Sequence, residues 1–111
     1  MNDEQLRILE ALVEAADSGR TAVLATVVRT RGSTPRKAGA RMLIGRDGVW
    51  AGTVGGGCGE GEVLEAAHAV LADGRTRTVR VDLTEDLLTL SPAVCGGIME
   101  IRLELVPPSP R

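Results

Sequence analysis

The sequence predicts an α/β or α+β domain: a single layer of about five mixed strands with two helices, in the order α-β-β-β-α-β-β. Three observations predict it. Apolar residues recur at helical spacing near the start and again in the middle of the chain. Two stretches in the last third alternate apolar and polar residues with the period of a half-buried strand. Between the helices lie a β-branched run and a turn signal flanked by two apolar arms. The length of 111 residues suits one domain, placed at residues 1–106, with "PPSPR" (107–111) as an unstructured tail.

The elements follow in order. Residues 3–18 read as an amphipathic helix with Leu6, Leu9, Val13 and Ala16 on one face and Arg7, Glu10 and Glu14 off it. Gly19 suits a left-handed cap. "TAVLATVVRT" (21–30) is a nearly unbroken apolar run, the pattern of a strand covered on both faces. "RMLIG" and "GVWAGTV" flank "RDG" and predict a hairpin over 41–54. Residues 60–72 form a second helix with Val63, Leu64, Ala67, Val70 and Leu71 as its apolar stripe, stopped at Asp73-Gly74. "TVRVDL" turns Val79, Val81 and Leu83 inward, and "IMEIRLELV" does so with Met99, Ile101, Leu103 and Leu105. Residues 84–96 fit no element.

Composition narrows the function. Hydrophobic residues make up 43% and charged residues 25%, enough for a packed core. Phe and Tyr are absent and Trp50 is the one aromatic, so aliphatic side chains supply the buried area. A small aliphatic core predicts modest stability, and with it either a partner chain or self-association. The net charge of −2 argues against nucleic-acid binding. No apolar stretch reaches membrane-spanning length, and "MNDEQLRILE" lacks the apolar run of a signal peptide. The chain therefore reads as cytoplasmic, with Cys58 and Cys95 as thiols.

Three loops carry the chemistry. The first, "RTRGSTPRKAGAR" (29–41), holds Arg29, Arg31, Arg36, Lys37 and Arg41 and no acid. Arginine forks and loop amides suit phosphate or another oxyanion; the plainer alternative is a solvated connection between strands. The second is "GTVGGGCGEGE" (52–62). Gly55, Gly56 and Gly57 bring backbone N–H groups close to a ligand, and a helix N-terminus near Glu60 aims its positive end at the loop. Cys58 there is expected to have a lowered thiol pKa. The alternative is a tight turn with a small buried cysteine. Glu60 and Glu62 are read either as complements to the helix dipole or as a base or metal ligand. The third loop, "AVCGGIME" (93–100), sets Cys95 beside Gly96 and Gly97. Two cysteines with His68, itself read as a helix residue, make no zinc site. Both thiols remain candidates for sulfur transfer, for a soft metal, or for a metal whose other ligands come from a cofactor. Ser33 and Thr34 lack a neighbouring histidine, so serine-hydrolase chemistry is set aside.

Taken together, "RGSTPRKAGA", "GTVGGGCGE" and "CGG" in that order resemble the N-terminal domain of the xanthine dehydrogenase accessory proteins, the XdhC/CoxI family, over roughly residues 6–106. The resemblance implies a cytoplasmic chaperone that binds the molybdenum cofactor (molybdopterin) and helps insert it into a molybdenum hydroxylase of the xanthine dehydrogenase or carbon monoxide dehydrogenase type. It implies cofactor binding by Arg31, Gly32, Ser33, Arg36, Gly55, Gly56, Gly57, Cys58, Glu60, Cys95, Gly96 and Gly97, with Pro35, Gly39 and Ala40 also matching the motif. Cys58 and Cys95 would meet the cofactor's molybdenum. Longer members carry a C-terminal Rossmann-type domain, so the expectation is either that domain on a separate chain or a stand-alone binding module, and a homo-oligomer is expected. Two alternatives stand beside this reading: a sulfur-transfer enzyme using Cys58 or Cys95, and a structural subunit that docks the Rossmann-type domain.

Overall fold

The computed structural model describes residues 1–55, 59–83 and 96–108. Its elements are α1 (Asp3–Asp17), β1 (Ala22–Arg31), β2 (Arg41–Gly45), β3 (Gly48–Gly52), α2 (Glu60–Asp73), β4 (Arg77–Asp82) and β5 (Ile98–Val106). The expected element order holds. The five strands form one sheet in the order β3-β2-β1-β5-β4, and each pair is antiparallel rather than mixed, so the class is α+β. The unassigned stretch falls, but for Gly96, outside the described residues, as does the end of the tail beyond residue 108.

The helices lie on opposite faces of the sheet. Val63, Ala67 and Val70 of α2 are fully buried against Val23, Ala25, Val27, Met42, Ile44, Val81, Met99, Ile101 and Leu103. Those strand residues alternate along their strands, so one face of every inner strand is aliphatic core. On the other face α1 sets Ile8 against Ala22 and Leu43, with Ala11, Leu12, Leu24 and Trp50 around them. The first half of β1 is thus covered on both sides, as its apolar run predicts.

The buried face of α1 is not the expected one. Ile8 and Ala15 are buried, with Ala11 and Leu12 partly so, whereas Leu6, Leu9 and Val13 are 44%, 45% and 53% exposed. Both stripes have helical spacing, and the sheet accepts the one whose small alanines let the helix approach closely. The helix starts from a reciprocal cap: Asn2 Oδ1 accepts from the Gln5 N–H at 2.8 Å, and the Asn2 N–H donates to Gln5 Oε1 at 3.0 Å.

One irregularity in β1 decides the placement of two arginines. Val27 pairs with Ile101, but Arg29 pairs with Glu100, so Val28 is an extra residue with no partner on β5. A bulge of this kind reverses which face the following residues occupy. Val23, Ala25 and Val27 face α2, whereas Arg29 and Arg31 lie beside Glu100 and Ile98 on the opposite face.

Candidate functional site

Antiparallel pairing brings the three motif loops to one end of the sheet. The β1–β2 connection leaves Arg31 and returns at Arg41; the β3–α2 connection leaves Gly52 and enters α2 at Glu60; β4 ends at Asp82 opposite Ile98, where β5 begins. The Arg46-Asp47 turn and the α1–β1 and α2–β4 connections occupy the other end.

The first loop is held from both limbs. The Gly39 N–H donates to the Val27 carbonyl at 2.8 Å, and the Val27 N–H donates to the Ala40 carbonyl at 2.9 Å. Thr34 Oγ1 donates to the Arg36 carbonyl at 2.9 Å and fixes the turn between them.

Its contact with the third loop is backbone on backbone. A Cβ added to Gly97 would lie 2.5 Å from the Arg31 carbonyl oxygen and 2.6 Å from that of Ser33. Gly32, at φ 75°, faces Gly97 Cα and the Gly96 carbonyl in turn. The Gly97 carbonyl accepts from the Leu83 N–H at 2.9 Å. Glycine at 97 is therefore a packing requirement: a side chain has no space between Arg31 and Ser33.

Contact with the second loop runs through side chains. The Arg36 guanidinium donates to the Thr53 carbonyl at 3.2 Å and to Glu4 Oε1 of α1 at 2.7 Å. Thr53 Oγ1 donates to Glu60 Oε1 at 2.9 Å and accepts from the Gly55 N–H at 3.3 Å. This chain of contacts joins α1, the basic loop, the glycine loop and the first turn of α2. Much of the charge of Arg36 is answered by Glu4, so its guanidinium acts here as a strut. Neither Glu4 nor Thr53 is singled out by the sequence. An acid in a first helical turn reads as a dipole complement, and nothing local marks it as the partner of an arginine 32 positions away.

The N-terminus of α2 differs from that of α1. Its cap position is Gly59 at φ 73°, and no side chain among the described residues caps it. The glycine is required twice, by its left-handed backbone and because a Cβ would meet Val81 Cγ1 at 2.4 Å. Amides without a cap and the positive end of the helix dipole leave this turn suited to an anion.

The expected site residues are distributed as follows. Arg31, Gly32, Ser33, Arg36, Gly55, Glu60, Gly96 and Gly97 lie at this one end, with Arg31 and Ser33 exposed and Gly55 and Gly97 buried. Gly56, Gly57, Cys58 and Cys95 fall outside the described residues. Among the described residues no cluster of His, Asp and Glu is arranged to hold a metal ion, and His68 sits exposed on α2, as its reading as a helix residue predicts. No described helix is long and apolar enough to cross a membrane.

Comparison with known proteins gives a consistent family. The profile of the XdhC and CoxI family matches residues 15–82. The molybdenum cofactor insertion chaperone PaoD of Escherichia coli is 40% identical over 80 residues, which are 72% of this chain and 25% of that protein. A probable xanthine dehydrogenase subunit of Bacillus subtilis is 38% identical over 102 residues, 89% of this chain and 30% of that one. The crystal structure of a xanthine dehydrogenase from Bacillus halodurans superposes with a TM-score of 0.75 at 37% identity, covering 96% of this chain and 31% of that one. The chain thus spans about a quarter to a third of the length of these relatives.

Proposed function

We propose that this chain, which belongs to the XdhC and CoxI family, binds the molybdenum cofactor and hands it to a molybdenum hydroxylase. The observation that carries the reading is the gathering of the basic loop, the glycine loop and the Gly96-Gly97 segment at one end of the sheet, tied by the Gly97 contact and by the Arg36–Thr53–Glu60 links. The name of the PaoD relative supports it. The donor set fits such a guest: exposed Arg31 and Ser33 and the uncapped amides of α2 suit an oxyanion. When bound, the cofactor supplies a soft, sulfur-ligated molybdenum and a phosphate group.

In this reading Ser33 and the first-turn amides of α2 hold the phosphate, and Arg31 adds positive charge from the other face at the same end of the sheet. Gly55, Gly56, Gly57 and Gly96 allow close backbone approach, and Gly32 and Gly97 seat the first loop on the third. Arg36 and Glu60 are positioning residues that keep the two loops in register through Thr53. Cys58 and Cys95 are assigned to the metal end as soft ligands. The location is cytoplasmic, where thiols stay reduced. The test is retention of cofactor released from a denatured molybdoenzyme, read as molybdenum co-eluting with the chain on gel filtration. Wild type should retain it and Cys58→Ala should lose most of it; equal retention removes Cys58 from the site.

A second reading concerns assembly and draws on the outward stripe of α1, where Leu6, Leu9 and Val13 stay exposed. An apolar helix face of this kind suits a further folded unit, either a Rossmann-type domain on another chain or a second copy. Sedimentation of wild type against Leu9→Asp tests self-association directly; an unchanged monomer in both removes the second copy.

A further inference from the structure

We propose that the part of the sheet face opposite α2 that no described helix covers carries an oxyanion site, built from Arg29, Arg31 and Arg80, that takes a phosphate or diphosphate group of a small molecule. On this face α1 packs over β2 and β3. Among the described residues no helix covers the outer half of β1, β5 and β4 on this face.

The bulge at Val28 is what puts cations there. Were Val28 paired in regular register instead of bulged, Arg29 and Arg31 would continue the face of Val23, Ala25 and Val27 and lie beneath α2. With the bulge, Arg29 sits directly across from Glu100, and Glu100 directly across from Arg80 on the next strand. Neighbouring strands are about 4.8 Å apart, so Arg29 and Arg80 flank Glu100 with their Cα atoms roughly 10 Å from each other. Arg31 is paired with Ile98, one step further along. These residues and Thr30 line a pocket of about 440 Å³, within the size range of small-ligand sites.

Charge within the pocket favours an anion: three guanidinium groups against the single carboxylate of Glu100. Arg29 reaches that carboxylate only at 3.9 Å, with 76% of its side chain exposed. Arg31 and Arg80 have no hydrogen-bond or ion-pair partner among the described residues. Asp82, across from Ile98 on the same face, has an interaction of its own. This positive cluster stands in a chain of net charge −2, so it is not a sample of a generally basic surface.

The ligand class follows by elimination. Guanidinium forks match the tetrahedral oxygens of phosphate in pairs. A polynucleotide is disfavoured by the overall acidity and by the lack of a stacking ring: Trp50, the one aromatic, packs near the Asp47 turn at the far end of the sheet. The pocket shares Arg31 with the cofactor reading but does not depend on it, because a bare diphosphate is expected to bind.

The test is a titration of the full chain with inorganic pyrophosphate, and separately inorganic phosphate, at low ionic strength, followed by amide NMR shifts. Saturable shifts confined to Arg29, Thr30, Arg31, Arg80, Ile98 and Glu100 are expected. Arg80→Gln should weaken pyrophosphate about tenfold, the loss of one charge-assisted fork. Glu100→Gln should tighten it by roughly threefold, because a carboxylate that opposes the anion is gone. Arg75→Gln makes the same net-charge change at the far end of the sheet and should alter affinity by less than about twofold. Pyrophosphate tighter than phosphate assigns a two-phosphate pocket; equal affinities assign one. Absence of saturable shifts at millimolar pyrophosphate, or equal losses in Arg80→Gln and Arg75→Gln, overturns the site and leaves the cofactor-retention test standing.

Discussion

The two helices are nearly equal in length, fifteen residues in α1 and fourteen in α2, and each packs on one face of the same sheet, yet they are attached in different ways. Helix α2 is held chiefly by burial: Val63, Ala67 and Val70 have no solvent exposure, its N-terminus has no side-chain cap among the described residues, and its polar ties, Glu60 to Thr53 and Asp73 to Arg77, are confined to its two ends. Helix α1 has its N-terminus closed by Asn2 and Gln5, buries only Ile8 and Ala15 fully, and is strapped to the basic loop by Glu4 and Arg36. The difference teaches that a packed helix can leave its end open for a ligand, whereas a helix with a thin buried face needs polar ties.

The sharpest test of that contrast is Val63→Asp. A carboxylate in the aliphatic seat of α2 has no partner there, and a loss of about 4 kcal/mol or more is expected, enough to unfold the chain in a urea titration. A mild effect would mean that α2 is less firmly seated than its burial indicates.

Next comes Arg36→Met, which keeps the stem and removes the strap. Its guanidinium and the Glu4 carboxylate are 27% and 37% exposed, so solvent screening limits the cost to about 1–2 kcal/mol. Hydrogen exchange should accelerate in α1 while α2 keeps its protection. Equal acceleration in both helices would erase the distinction.

The C-terminal end of α2 supplies a pH test. The Arg77 side chain, bonded to both oxygens of Asp73, and the Arg75 backbone N–H hold the Asp73 carboxyl well below the usual carboxylate range. A depressed folded value stabilises the fold above the unfolded carboxylate pKa of about 4, and that contribution disappears as pH falls through the folded value. Carboxyl NMR titration should find Asp73 ionised in acid where other carboxylates have protonated, and Arg77→Gln should move it back up. The two side chains are 34% and 39% exposed, so solvent screens the pair and the effect is local fraying at the end of α2.

The smallest effect belongs to Leu9→Gln on the outer stripe of α1. Leu9 is half exposed, and the change should shift stability by less than about 0.5 kcal/mol. A large loss would show that the stripe is covered in solution, and would tie it to assembly.

Much of the fold was legible because its signals are local. The alternation through Val79, Val81 and Leu83, and through Met99, Ile101 and Leu103, names both strand and face. The stripe of α2 is single, so period and burial agree. In α1 two stripes share the helical period, and periodicity alone has no means to choose between them. The bulge at Val28 lies within "ATVV", where an unbroken apolar run hides any change of face. The candidate site was legible as three separate motifs; the ties among them were not. Arg36 to Glu4 and Gly97 to Ser33 join distant positions, and Thr53 carries no local mark of its part in the linkage.

That single additional residue in β1 has an evolutionary corollary. At position 28 neither the identity nor the presence of the residue is fixed by the pairing, since Val28 is 39% exposed and its place on the strand has no partner to satisfy. Substitution there should pass almost unnoticed. Deleting it would let β1 run in plain register, with Val27 still across from Ile101 and Arg29 from Glu100, so both arginines would keep their face and only the local bend would go.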